Sequence, residues 1–371
     1  MKLSFSVRLF STAIIENLTD FKPGLSKDAQ PLMVWLLKRF GAKIPFDGNK
    51  LYASEILSIL LQNSDENRKI LGVLKGVDTL LQQLSFYKRR DPGSGDEHEF
   101  LENILDCLCS CLLCCPSNRE LFYEGEGIEL LNLILKEKRE TNSSIKPGAL
   151  KILNHVLSTD KGVDEMLSKC CDKLVEFQGL RVIFPIFMKP KSIVSPRLKK
   201  REIPSAIDDY EEHAISIFLA LLRFCKPENK KRIVSKFAEG DLEKTERLME
   251  MHMKYSEKLA QVDQQIQQEK TDLEEDEEID EEEMFVRRLT DGGLFTLQMV
   301  DQTIAMICSL QESLLQENTI RARVNKIFEM HSSLPQNPRK VIKQVLTEMA
   351  SEQKEESEKD RILKLSDEFS I

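Results

Sequence analysis

The chain has little of what most enzymes and membrane proteins need. Its 371 residues include one tryptophan and five histidines, and aromatic residues make up 6%. The histidines are scattered, and the sequence has no His-Glu-x-x-His zinc pattern, Walker loop or dinucleotide-binding glycine motif. It also has no run of about 18 uncharged apolar residues, the length that spans a bilayer. We therefore predict no enzymatic activity, no cofactor and no membrane span.

Glycine, proline and strand-like alternation are also scarce. The chain has 15 glycines and 13 prolines, and no long stretch alternates apolar and polar residues. Nine cysteines are too few for a disulfide scaffold, and five of them crowd between Cys107 and Cys115. These features predict an all-α protein whose thiols stay free in a reducing compartment, the cytosol or the nucleus.

The cysteine-rich segment allows three interpretations. Cys107, Cys111 and Cys114 recur at helical spacing, which could suggest a zinc site, but zinc needs a fourth ligand in tetrahedral geometry. A thiol-based enzyme would need a thiolate with a lowered pKa. Small thiols that fill a helix interface are the simplest interpretation, and no metal is predicted.

Two segments carry unusual charge. Ten acidic residues lie between Asp272 and Glu283, and without them the formal charge changes from −9 to +1. They lack the spacing of a calcium-binding loop, so a solvated linker is expected. The segment Lys189–Arg201 holds six basic residues, and Pro196–Arg201 resembles a weak localisation signal. Without interleaved aromatics it predicts no direct nucleic-acid contact, and it could instead pair with the acidic run.

The most informative feature is a repeat. A turn residue followed by an apolar, leucine-rich run begins at Pro31, Gly76, Gly127 and Gly179, at separations of 45, 51 and 52 residues. Glu66-Asn67-Arg68 and Ser117-Asn118-Arg119 place their Asn nine residues before the glycine, and Glu228-Asn229-Lys230 repeats the phrase. A helical period near fifty indicates stacked repeats with an extended concave binding surface. Three helices per repeat favour an armadillo-type helical-repeat superhelix, a solenoid, over the two-helix HEAT plan.

The pattern divides the chain into seven parts. Lys2 and Arg8 could mimic a targeting peptide, although Ala13–Leu18 is more simply the end of a repeat helix. The predicted parts are an unaligned N-terminal segment (1–12), armadillo repeats (13–188), a basic loop (189–206), degenerate repeat helices (207–270), an acidic linker (271–283), a C-terminal helical repeat and cap (284–350) and a charged tail (351–371).

Several phrases are specific enough to suggest a family. From about Ala13 to the C-terminus, the chain resembles the beta-catenin-like family of armadillo proteins in the segments Trp35–Arg39, Pro45–Tyr52, Gly125–Gly127 and Gly179–Pro185. The resemblance implies a nuclear superhelix associated with the spliceosomal NineTeen complex. It also implies that basic, nuclear-localisation-type segments of splicing factors are the partners. The oligomeric state is left open.

An importin-type armadillo protein clamps basic peptides with an Asn and a Trp on each third helix. Here the Asn positions hold Ser58, Cys109 and Ala220, with Asn17 and Asn154 placed less strictly, and the Trp positions hold Ala13, Ser54, Leu105, Leu150 and Ser216. A nuclear transport adaptor of importin type is therefore the second hypothesis. The preferred hypothesis is a splicing scaffold whose peptide-binding surface uses Glu16, Asn17, Glu55, Ser58, Asp106 and Asn154. For Asn17 and Asn154 the alternative is helix packing or capping.

Overall fold

Helices account for the regular secondary structure throughout the described part of the chain. The computed structural model describes residues 29–42, 45–62, 64–113, 115–137, 145–158, 165–272, 280–331 and 337–368, and no strand occurs in these ranges. The prediction of an all-α fold is confirmed. The chain divides into two compact units, the first ending at Ile217 and the second beginning at Phe218.

The first unit repeats a set of two shorter helices and a third one. The helices are α1 Gln30–Gly41, α2 Gly48–Gln62, α3 Asp65–Val73, α4 Gly76–Phe86, α5 Gly95–Leu112, α6 Pro116–Glu124, α7 Gly127–Lys136, α8 Lys146–Leu157, α9 Glu165–Glu176, α10 Leu180–Met188 and α11 Ile203–Phe224. First helices are α3, α6 and α9, second helices are α1, α4, α7 and α10, and third helices are α2, α5, α8 and α11. Helices of the same type pack on one another in successive repeats: α3 contacts α6, α6 contacts α9, α2 contacts α5 and α5 contacts α8. This is the expected armadillo arrangement.

The repeated glycine is explained by the turn between first and second helices. Before Gly127, Glu126 has the left-handed φ of 57°, which turns the chain sharply into α7. A Cβ atom on Gly127 would lie 2.4 Å from Cε1 of Phe122, the buried residue five positions earlier. The same close approach recurs between Gly76 and Leu71 and between Gly179 and Leu174. Only glycine leaves room for the apolar side chain that closes each first helix.

The repeated Asn-Arg phrase joins two first helices, α3 and α6, to the third helix before each of them. The side-chain amide of Asn67 donates to the Leu60 carbonyl at 2.8 Å, and that of Asn118 donates to the Cys111 carbonyl at 2.7 Å. Both acceptors lie seven residues back, where the last carbonyls of a helix lack backbone partners. Asn118 also donates to the Arg68 carbonyl at 2.8 Å, which links successive repeats. The phrase is therefore structural.

Two segments are more ordered than the sequence suggested. Within the predicted armadillo repeats, helix α5 begins in a Gly- and Ser-rich stretch at Gly95, because the Ser94 hydroxyl accepts from the Glu97 amide and caps the helix. Within the predicted basic loop, a 3-10 turn at Pro190–Ile193 buries its two end residues, and α11 begins at Ile203. The basic residues of this segment are exposed.

The second unit contains α12 Pro227–Ala238, a 3-10 turn Gly240–Leu242, α13 Glu243–Asp272, α14 Glu281–Thr290, α15 Leu294–Leu315, α16 Thr319–Met330, α17 Pro338–Glu352 and α18 Glu356–Glu368. It is arranged around α15, which contacts α12, α13, α14, α16, α17 and α18. Within the predicted charged tail, α18 buries Ile362 and Leu365. In the described ranges no single helix has the length and apolarity to cross a bilayer, although α14 and α15, bent by 60°, pass that test as a pair.

Candidate peptide-binding surface

The third helices of the first unit share a solvent-facing side. We call this side the third-helix surface, which comprises the exposed and half-buried side chains of α2, α5, α8 and α11 up to Ile217. The opposite sides of these helices are apolar and buried, as at Leu57, Ile104 and Leu153. Direct contacts between neighbouring third helices include an ion pair between Lys151 and Asp106 and a contact between Asn154 and His213.

Helix α5 carries a row of exposed acidic side chains. Glu99, Glu102 and Asp106 are exposed and recur at intervals of three and four residues, so they form one stripe. Glu102 lies 3.2 Å from Nδ1 of His98 on the same helix. Glu55 on α2 is half-buried. Two of the predicted acidic residues, Glu55 and Asp106, therefore lie on adjacent third helices with side chains that reach solvent.

Asp106 has a basic neighbour on the next repeat. The ammonium of Lys151 on α8 lies 3.7 Å from its Oδ1, and both side chains are about half exposed, at 47% for Lys151 and 53% for Asp106. An ion pair this exposed stabilises a protein by about 0–1 kcal/mol. A lysine or arginine from a bound peptide can therefore compete with Lys151 for this carboxylate at little cost.

Asn154 is engaged by a residue 59 positions away. Its amide Nδ2 lies 3.3 Å from Nδ1 of His213 on α11. Burial, followed by the charges of His155 and Lys151, lowers the pKa of His213 to about 4. Burial and Lys151 also lower the pKa of His155. Both imidazoles are therefore neutral at pH 7, and the Asn154 amide donates to the bare nitrogen of His213.

The remaining predicted residues behave differently. Ser58 is only 7% exposed, because it lies on the side of α2 that faces its neighbours, so its hydroxyl is not part of the accessible surface. Glu16 and Asn17 lie outside the described residues. Lys151 and His213 were not predicted, because their roles depend on contacts between repeats. The stripe Glu99–Glu102–Asp106 could have been found from helical spacing alone.

Most described positions of an importin-type clamp are closed, although Ser216 is half-buried. Ser54, Cys109 and Leu150 are buried, and Leu105 is 6% exposed. Ser54 is used internally, since its hydroxyl accepts from the Asn103 amide at 3.0 Å. A peptide on this surface would therefore meet acidic side chains rather than alternating asparagine and tryptophan.

The cysteines fill the helical interior. Cys107, Cys109, Cys111, Cys115, Cys170, Cys171, Cys225 and Cys308 are free and buried. Burial raises the pKa of the Cys107 and Cys111 thiols and raises that of Cys109 to about 12, the opposite of what a nucleophilic thiolate requires. In the described ranges, which leave out Cys114, no three potential metal ligands lie together.

One constellation in the second unit was not foreseen. Nδ1 of His252 lies 2.7 Å from Oδ1 of Asp301, and Oγ of Ser256 lies 3.5 Å from Nε2 of the same histidine. This chain of contacts from serine to histidine to aspartate resembles a catalytic triad. However, His252 and Asp301 have no exposed surface and Ser256 is 7% exposed. Burial raises the pKa of Asp301. The arrangement is a buried polar cluster that pairs α13 with α15.

Comparison with known proteins gives a consistent result. Residues 9–360 match a family described as "Catenin-beta-like, Arm-motif containing nuclear". The chain is 44% identical to Beta-catenin-like protein 1 of Bos taurus and 43% identical to that of Homo sapiens, in each case over 96% of this chain and 61% of the relative. It is 32% identical to the Schizosaccharomyces pombe homolog over 82% of this chain and 48% of that protein. The chain thus spans about three fifths of its animal relatives.

Proposed function

The chain belongs to the catenin-beta-like family of nuclear armadillo proteins, and we propose that it is a non-enzymatic scaffold of pre-mRNA splicing. Its partners are splicing factors, within or around the NineTeen complex, that present basic segments of nuclear-localisation type. The nuclear location follows from the family. The docking site is the third-helix surface.

The acidic stripe of α5 is the observation that supports this proposal most directly. Glu99, Glu102 and Asp106 give a basic peptide three carboxylates in a row, and the exposed pair with Lys151 is weak enough to be exchanged. Neutral His155 and His213 add no positive charge at the α8–α11 end. A peptide with lysines or arginines at helical-turn intervals would therefore gain complementary contacts.

The sharpest test reverses one charge on the surface. Asp106→Lys should weaken binding of a fluorescein-labelled lysine- and arginine-rich peptide to the full chain about ten-fold, which corresponds to about 1.4 kcal/mol. Glu176→Lys makes the same charge change at an exposed position on the first helix α9 and should leave the affinity within two-fold of the unchanged chain. Fluorescence anisotropy measures both. Equal losses in the two variants would count against the third-helix surface.

The partners need a separate experiment. Affinity purification from nuclease-treated nuclear extract, followed by mass spectrometry, should recover NineTeen-complex and other splicing proteins. The Asp106→Lys chain should lose the partners that dock through basic segments. Recovery of karyopherins without splicing proteins would instead favour a transport adaptor.

A further inference from the structure

A second, oppositely charged site lies on the second helices of the first unit. A cleft of about 500 Å³ is lined by Lys88 and Arg89, which follow α4, and by Leu133, Lys136 and Glu137 at the end of α7. Both lysines and the arginine are exposed. Leu133 is 54% exposed and forms an apolar wall beside the cations. None of the five residues belongs to the third-helix surface.

The loop that carries Lys88 and Arg89 is anchored by a buried carboxylate, that of Glu97. Glu97 is 5% exposed and accepts from the Tyr87 hydroxyl at 3.1 Å, from the Arg90 guanidinium at 3.0 Å and from the Gly93 amide at 2.6 Å. Lys88 and Arg89 therefore lie between two residues that are both tied to the same buried carboxylate. This anchoring lowers the entropy that the loop would lose when a ligand binds.

The charge balance of the cleft favours an anion. Among the lining residues that the structure describes, three cations accompany one carboxylate, that of Glu137. Helices α4 and α7 both end at the cleft, and each helix C-terminus adds about half a negative charge. Counted over these described residues and the two helix ends, about one net positive charge remains, which favours a carboxylate as the ligand. The exposed Leu133 adds a contact that an inorganic anion would not use.

We propose that this cleft binds an acidic peptide segment of a partner protein, with a glutamate or aspartate against the cations and a neighbouring apolar side chain on Leu133. The chain would then offer two complementary surfaces, acidic on the third helices and basic on the second. The binding mode is independent of the function proposed above, because it shares no residue with that surface.

The test uses the full chain and a short fluorescein-labelled peptide of glutamates around one leucine. Lys136→Glu should weaken its binding about ten-fold, measured by anisotropy at low salt. Lys38→Glu is the matched control, since Lys38 is exposed in the last turn of the second helix α1 and its reversal has the same unfavourable effect on a helix C-terminus. Circular dichroism verifies that both variants are folded.

Two altered peptides and a competing RNA decide the ligand class. A glutamine version of the peptide should bind at least ten-fold more weakly, and replacing its leucine with serine should lower the affinity about three-fold. Leu133→Asn should remove that difference between leucine and serine. Equal weakening by Lys38→Glu and Lys136→Glu would overturn the proposal, as would equal binding of the glutamine peptide. Displacement of the peptide by a short single-stranded RNA at lower concentration than by unlabelled peptide would also overturn it, in favour of a nucleic-acid site.

Discussion

At the scale of single residues, the burial of His213 keeps a further positive charge off the third-helix surface beside Asn154. An imidazolium beside Lys151 would repel a basic peptide, but partial burial keeps His213 neutral and makes it an acceptor for the Asn154 amide. The same burial has a measurable consequence for stability, because a group that resists protonation in the folded state is protonated more readily in the unfolded chain.

Removing this histidine should flatten the pH dependence of folding. In the unfolded chain His213 takes up a proton near pH 6.5, whereas in the folded chain it does so near pH 4. As the pH falls between these values the unfolded state binds more protons, so the free energy of unfolding falls. The His213→Gln variant should lose less stability between pH 7 and pH 5 than the unchanged chain, measured by urea denaturation. An unchanged slope, or titration of His213 near its ordinary pKa by NMR, would contradict the assignment.

At the scale of helices, the glycine turn determines how each second helix leaves the first. A methyl group on Gly127 would meet the ring of the fully buried Phe122, which has no free space to move into. Gly127→Ala should therefore destabilise the first unit by about 1–3 kcal/mol. Gly41→Ala provides the control, since Gly41 also lies in a helix and has no atom within 4 Å of its added Cβ. Chemical denaturation should show that only the first substitution lowers the midpoint substantially.

The glycine turn and the Asn-Arg phrase also show what the sequence could predict. Both recur with the repeat, and both mark helix ends, so the three-helix plan could be predicted without coordinates. Contacts between repeats, such as the one between Asn154 and His213, could not be predicted, because helical spacing gives the face of a residue but not its neighbour.

At the scale of the whole molecule, the net charge is a poor guide to recognition. The formal charge is −9, yet ten acidic residues between Asp272 and Glu283 account for more than all of it. Within the first unit, the acidic stripe of α5 and the basic cleft beside α7 lie on different helices of the repeat. At physiological salt, charges further apart than about 8 Å are largely screened, so each surface should select its ligand by its own side chains.

The buried thiols offer a test of packing in both units. Six of the eight described cysteines lie in the first unit, and Cys225 and Cys308 lie in the second. Burial raises the pKa of the three thiols inside α5, so neither access nor ionisation favours their alkylation.

We expect all eight to resist N-ethylmaleimide in the native chain and to react, together with Cys114, once the chain is unfolded in guanidinium. Peptide mapping by mass spectrometry identifies each modified cysteine, and the unfolded sample is the control for intrinsic reactivity. Rapid native modification of one of the eight, with the others protected, would indicate an activated thiol and would favour a thiol-based enzyme over the scaffold. Protection of all eight cysteines from N-ethylmaleimide in the native chain would mean that they act as small apolar side chains. Packing alone would then account for their number in α5.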